Sequence, residues 1–219
     1  MDHFYRTRRT AVAAAVLSFW TMAAAAQTYI EPDTRVGRPY LEAALGAFEP
    51  QSTNHLANQD GQGFGLVGGG YRPTPGFAWG VEVTGFGQRV DTPAGVSAPS
   101  GFRSVDSRAR LSTEGLDVNA RWIIPFDRWE PFLGAGVGWY QSRLEVRGTS
   151  FFFRDTVAEE KSNDFGAHVL AGFDYWIRPK IAIGAELRYL RLNARFDSLL
   201  QGTEHAGGTF LMFRYRQAF

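Results

Sequence analysis

The chain has 219 residues, with 23 Lys and Arg against 22 Asp and Glu, a net charge of +1, 25 Gly, 15% aromatic residues and no Cys. This composition is neither collagen-like nor disordered and amounts to one domain or one barrel. The near-zero charge gives no basic excess for a nucleic-acid partner, and without Cys neither a disulfide framework nor a lipidated cysteine can hold the chain.

The N-terminus predicts export. Arg6, Arg8 and Arg9 precede the apolar run AVAAAVLSFWTMAAAA, residues 11–26, whose last small residues, Ala24 and Ala26, form an Ala-x-Ala site. Residues 1–26 are therefore read as a signal peptide cut before Gln27. The run is 16 residues long, short of the roughly 20 that span a bilayer as a helix. Removal leaves 20 basic and 21 acidic residues, a net charge of −1. No later apolar run suits a membrane helix.

Beyond the leader the period is two almost throughout, which argues for strands. RPYLEAALGAF (38–48) puts Leu41, Ala43, Leu45 and Ala47 on one face and Glu42 on the other. GFGLVGGGY (63–71) is the second segment. FAWGVEVTGFGQ (77–88) sets Phe77, Trp79, Val81 and Val83 against Glu82, Thr84 and Gln88. EGLDVNARWII (114–124) sets Leu116, Val118, Ala120 and Trp122 against Asp117, Asn119 and Arg121. PFLGAGVGWYQ (131–141) opposes Leu133, Ala135, Val137 and Trp139 to Gly134, Gly136 and Gly138. DFGAHVLAGFDYW (164–176) opposes Phe165, Val169, Phe173 and Tyr175 to His168 and Asp174. KIAIGAELRYLRL (180–192) opposes Ile181, Ile183, Leu187 and Tyr189 to Glu186 and Arg188. FLMFRYRQAF (210–219) opposes Leu211, Phe213, Tyr215 and Phe219 to Arg214 and Arg216.

These eight segments alternate short connections, at 72–76, 125–130 and 177–180, with long ones, at 49–62, 89–112, 143–162 and 193–207. Sorted loop lengths, an even strand number and segments of about ten residues are the pattern of an outer-membrane barrel. The predicted fold is all-β, an eight-stranded antiparallel up-and-down transmembrane β-barrel over residues 38–219.

In such a barrel the apolar faces meet lipid and the polar faces meet each other inside, where eight strands leave room only for side chains. Glu42, Glu82, Asn119, Arg121, Asp174, Glu186, Arg188 and Arg214 are thus expected to form a polar network of Arg–carboxylate pairs that plugs the lumen, with Gly134, Gly136 and Gly138 making room for it. Trp79, Trp122, Trp139, Tyr175, Trp176, Tyr189 and Tyr215 are expected at strand ends or on the lipid face.

GAGVGW (134–139), AGFDYWIRPKIAIGAELRY (171–189) and the closing strand ending in Phe219 resemble the eight-stranded outer-membrane β-barrel proteins of Gram-negative bacteria, the group of the OmpA transmembrane domain and the OmpX-like proteins. The resemblance implies an outer-membrane location, residues 27–37 as a short periplasmic lead, and a monomeric, non-enzymatic barrel. It also implies that Leu211, Phe213, Tyr215 and Phe219 are read by the outer-membrane assembly machinery, although Gln217 stands where an apolar residue is usual. Implied partners are outer-membrane lipids, lipopolysaccharide and an extracellular ligand at the loops. The implied role is envelope integrity or surface interaction such as adhesion. The alternatives are a lipid-modifying enzyme of the lipid A deacylase kind and a small-solute channel.

No catalytic, cofactor or metal constellation is read from the chain. Gly63-x-Gly65-x-x-Gly68 matches a dinucleotide fingerprint only in spacing, because a turn follows rather than a helix. His168 lacks a neighbouring Ser and reads as a lumen residue. Three consecutive phenylalanines, Phe151–Phe153, predict either extended strands packing above the membrane or an adhesive edge.

Overall fold

The computed structural model describes residues 35–51, 59–91, 106–150, 153–196 and 202–219. The expected signal peptide with its cleavage site, most of the expected lead, and Phe151 and Phe152 lie outside the described residues.

The described strands are β1 (Arg38–Pro50), β2 (Gln59–Thr74), β3 (Phe77–Asp91), β4 (Asp106–Ile123), β5 (Trp129–Ser150), β6 (Phe153–Arg178), β7 (Ile181–Phe196), β8 (Gly202–His205) and β9 (Gly208–Ala218). Each of β1 to β7 pairs antiparallel with the next, and β9 joins β7 to β1, which closes the sheet. β8 and β9 are one barrel strand. Asn193 faces His205 and Leu190 faces Gly208 in the same register, and only Ala206 and Gly207 between them break the ladder. The chain is thus an eight-stranded antiparallel barrel with both edges removed.

Short turns connect the strands at the end that also holds both termini of the barrel. There Gly37 donates to the carbonyl of Arg72 at 2.8 Å, and Phe219 donates to Pro39 at 3.1 Å. Asp127 takes a positive φ of 42° in the turn before β5, a conformation that Asp tolerates better than most residues.

At the other end the structure differs from the expectation. The segment 143–162, expected as a long loop, is a strand pair: β5 runs 22 residues and β6 runs 26. Likewise β4 begins at Asp106 and β7 continues to Phe196, inside segments expected as loops. A bilayer needs only about 9 to 11 residues of tilted strand, so β4 to β7 rise well beyond it.

The reason is a reversal of polarity along the barrel. In the lower part the outward residues are apolar, among them Leu45, Val67, Val83, Val118, Val137, Val169, Leu187 and Phe213, all exposed. Higher up the outward residues become Glu49, Arg89, Glu114, Gln141, Lys161, Arg191 and Asn193. The inward ones there are Phe48, Phe64, Phe86, Leu111, Leu144, Leu190, Leu192, Phe196 and Phe210, which form one buried cluster. The lower section is built for lipid outside and polar residues inside. The upper section has the polarity of a water-soluble barrel.

Candidate functional site

Across the barrel interior, the side chains lie in layers. At the short-turn end Arg72 donates both to Glu130, at 2.9 and 3.0 Å, and to the carbonyl of Thr74. Arg35 reaches Glu130 at 3.2 Å and lies over Trp176 at 4.9 Å. Trp176 is therefore turned inward and buried, unlike Tyr175 and Tyr189, which face out. An apolar layer of Tyr40, Ala78, Ile123, Phe132 and Leu170 follows.

The middle layer is a closed ring of ion pairs contributed by five strands. Arg121 of β4 donates to Glu42 of β1 at 3.0 and 2.8 Å and bonds Glu82 of β3. Arg188 of β7 donates to Glu82 at 2.6 Å and to Glu186 at 2.9 Å. Arg214 of β9 donates to Glu186 at 2.9 Å and bonds Glu42, which completes the circuit. Along the circuit each glutamate links two arginines and each arginine two glutamates, and Arg121 also lies 3.8 Å from Glu186 across it. Arg121 and Arg214 also lie over the ring of Phe132, at 5.8 and 4.8 Å. All six residues are almost wholly buried.

Such burial would be prohibitive for an unpaired charge, since the desolvation cost is several kcal/mol per ion. Charge-assisted, partly bidentate hydrogen bonds offset it here. Gly68 makes room for the ring, since a Cβ there would lie 2.8 Å from Glu82 Cγ, whereas Gly136 and Gly134 make room for its neighbours, His168 Nε2 at 2.5 Å and Leu170 at 2.7 Å.

Of the eight residues expected in the lumen, these six form the ring. Asp174 sits below it and binds Arg216 at 2.7 Å. Asn119 is buried, and its amide makes no hydrogen bond among the described residues. Residues outside that set also take part. Arg216 reaches Glu42 at 3.3 Å and lies over Tyr40 at 4.6 Å. Asp117 accepts from Thr84 at 3.1 Å, bonds Tyr140, and stands 3.6 Å from His168. Arg72 and Glu130 carry the layer beneath. All occupy the inward phase of their strands, so alternation marks them. The ends of β2 and β5, expected as turns, kept Arg72 and Glu130 out of view.

Above the ring the interior is mostly apolar, a phenylalanine cluster with Leu111, Leu144 and Leu192 that also encloses Gln88, Thr113 and Ser142. Phe210 contacts Phe48, Phe64 and Phe86 with ring centroids 4.5, 4.7 and 5.0 Å apart. Polar residues are tolerated where lipid surrounds the barrel. Where water surrounds it, burial of apolar surface again drives folding, at roughly 25 cal/mol per Å².

Leu211, Phe213, Tyr215 and Phe219 form an exposed row on the outer face of β9. Gln217 breaks the row and accepts a hydrogen bond from Tyr215 at 3.1 Å. Gly63, Gly65 and Gly68 all lie within β2, with no helix after them.

The family model described as outer membrane protein beta-barrel domain matches residues 11–210. Among solved structures, Neisserial surface protein A is similar at 18% identity and a TM-score of 0.54, over 83% of this chain and 97% of that one. The outer membrane protein OprG from Pseudomonas aeruginosa is similar at 13% identity and a TM-score of 0.53, over 84% of this chain and 97% of that one. Likeness at these identities is one of fold. No curated protein matches the sequence.

Proposed function

The chain belongs to the outer membrane protein β-barrel family and lies in the outer membrane of a Gram-negative bacterium; from that premise we propose that it is a closed, non-enzymatic barrel acting in envelope integrity or surface interaction. The observation that carries this reading is the double seal of the interior, an ion-pair ring surmounted by an aromatic cluster. A scaffold that conducts nothing presents its variable part outside, and here that part is the tall β5–β6 strand pair on a rigid base.

The lipid-modifying alternative needs a nucleophile and a histidine on the outer surface. Of the described histidines, His168 is enclosed in the lumen beside Asp117, above the ring, and the exposed His205 is hydrogen-bonded to Asn193 Oδ1 at 2.5 Å. The exposed apolar row of Leu211, Phe213 and Tyr215 on β9, with Phe219 just beyond it, serves in this reading as the signal for the assembly machinery.

Cells displaying the protein should bind a surface ligand, such as a matrix or host-cell preparation, through the β5–β6 projection. A variant with residues 146–158 replaced by Asn-Gly should keep the heat-dependent gel mobility of a folded barrel and lose that binding. Equal binding by both forms would overturn the assignment of surface interaction to this projection.

A further inference from the structure

Below the ion-pair ring, at the short-turn end of the lumen, arginines crowd a small space. Arg38 and Arg72 stand opposite each other on β1 and β2, in the same inward phase as Tyr40. With Arg35, Trp176 and Arg216 these residues line a cavity of about 10 Å³. Among the described residues, four guanidiniums therefore meet the carboxylates of Glu130 and Asp174 at this level, Glu42 being engaged in the ring above.

The acceptors here are already held. Glu130 is bound by Arg72 and Arg35, and Asp174 lies 2.7 Å from Arg216 and against Gly184. Arg38 donates one N–H to the carbonyl of Phe219 at 3.0 Å, and the Tyr40 hydroxyl donates to the carbonyl of Trp79, also at 3.0 Å. Two donors on the cavity wall, Trp176 Nε1 and Arg216 Nε, meet no acceptor among the described residues. Their side chains are only 4% and 3% exposed, so water outside the barrel does not satisfy them. An indole N–H and a guanidinium N–H can donate but not accept, and burying such a donor without an acceptor is costly.

We propose that this cavity binds one monatomic anion, chloride, held by Trp176 Nε1–H, Arg216 Nε–H and the guanidinium of Arg38. Its volume suits a single species the size of a water molecule, which excludes phosphate and sulfate. A water in the cavity must also direct its own hydrogens at acceptors, and the free groups of the wall are donors. An anion only accepts, and its hydrogen bonds to guanidinium are charge-assisted. The bound ion links three strands, since Arg38 is on β1, Trp176 on β6 and Arg216 on β9. Through Arg35, which lies over Trp176 at 4.9 Å, it also fastens the residues that precede β1. The site is thus an anion-dependent brace at the end where the barrel closes.

The test is urea unfolding of the refolded barrel in an uncharged maltoside detergent, read by heat-dependent gel mobility, as sodium chloride replaces sodium gluconate at constant ionic strength. Chloride should raise the urea midpoint saturably and bromide should do the same, whereas sulfate at the same ionic strength should give no saturable rise. Trp176→Phe keeps a ring beneath Arg35 and removes the N–H. It should raise the half-saturating chloride concentration at least about tenfold, the size expected for one hydrogen bond to a charged group. Trp122→Phe, on the outer face of β4, should behave as wild type. Both variants are first shown to have folded-barrel mobility; if Trp176→Phe does not fold, Arg38→Gln replaces it, with a smaller shift in the same direction expected. A midpoint that does not respond to chloride, half-saturation of the cavity variant at the wild-type concentration, an equal shift for Trp122→Phe, or a saturable rise with sulfate would overturn the proposal. None of these readouts depends on adhesion or conductance, so the result is separate from the proposed function.

Discussion

Arg121 shows how a single side chain closes the lumen. Its guanidinium is fully buried and joins Glu42 to Glu82 across the barrel. Arg121→Ala leaves two carboxylates facing each other without their shared cation, and should cost about 3 to 5 kcal/mol; the loss is measurable as a lower urea midpoint for the folded gel species. Replacing Arg121 and Glu82 together with Met and Leu should cost less than the single change, because no uncompensated charge remains. Phe86→Ala in the upper cluster should cost a similar 3 to 5 kcal/mol for a different reason, a cavity among Phe48, Phe64 and Phe210. Because the ring is fully buried, added salt should change neither effect much.

At the scale of one strand, β7 carries the polarity reversal in its sequence. Ile181, Ile183, Leu187 and Tyr189 point outward in its lower part, then Leu190, Leu192, Ala194 and Phe196 point inward while Arg191, Asn193 and Arg195 face out. Lysine substitutions should follow that switch. Leu187→Lys, on the lipid face, should cost about 2 to 4 kcal/mol. Asn193→Lys should stay within about 0.5 kcal/mol as an ordinary surface change, and Leu192→Lys should be strongly destabilising, since it buries a charge in an apolar cluster. A urea series on the three variants checks the order, and equal costs at 192 and 193 would contradict the reversal.

The same strand shows what the sequence makes legible. Alternation locates the membrane section of every strand and assigns Glu42, Glu82, Arg121, Glu186, Arg188 and Arg214 to the interior, because lipid forces a strict apolar-out pattern. The upper sections are harder to see. Their apolar residues change phase, and the charged residues between them read as loop. The pairing among Arg and Glu is also invisible in one strand, since the ring is closed by partners as far apart in sequence as Glu42 and Arg214.

The whole molecule is a barrel with two solvents. Below, lipid surrounds it and the interior is polar; above, water surrounds it and the interior is apolar, and the change occurs just above the ion-pair ring. Both halves pack the lumen with side chains, by opposite chemistry. Planar-bilayer recording of the refolded barrel tests this most directly. The double seal predicts a membrane that stays silent, for wild type and for Phe86→Ala alike, because the ring remains closed beneath the cavity. Stable, large single-channel steps from the wild-type protein would contradict it.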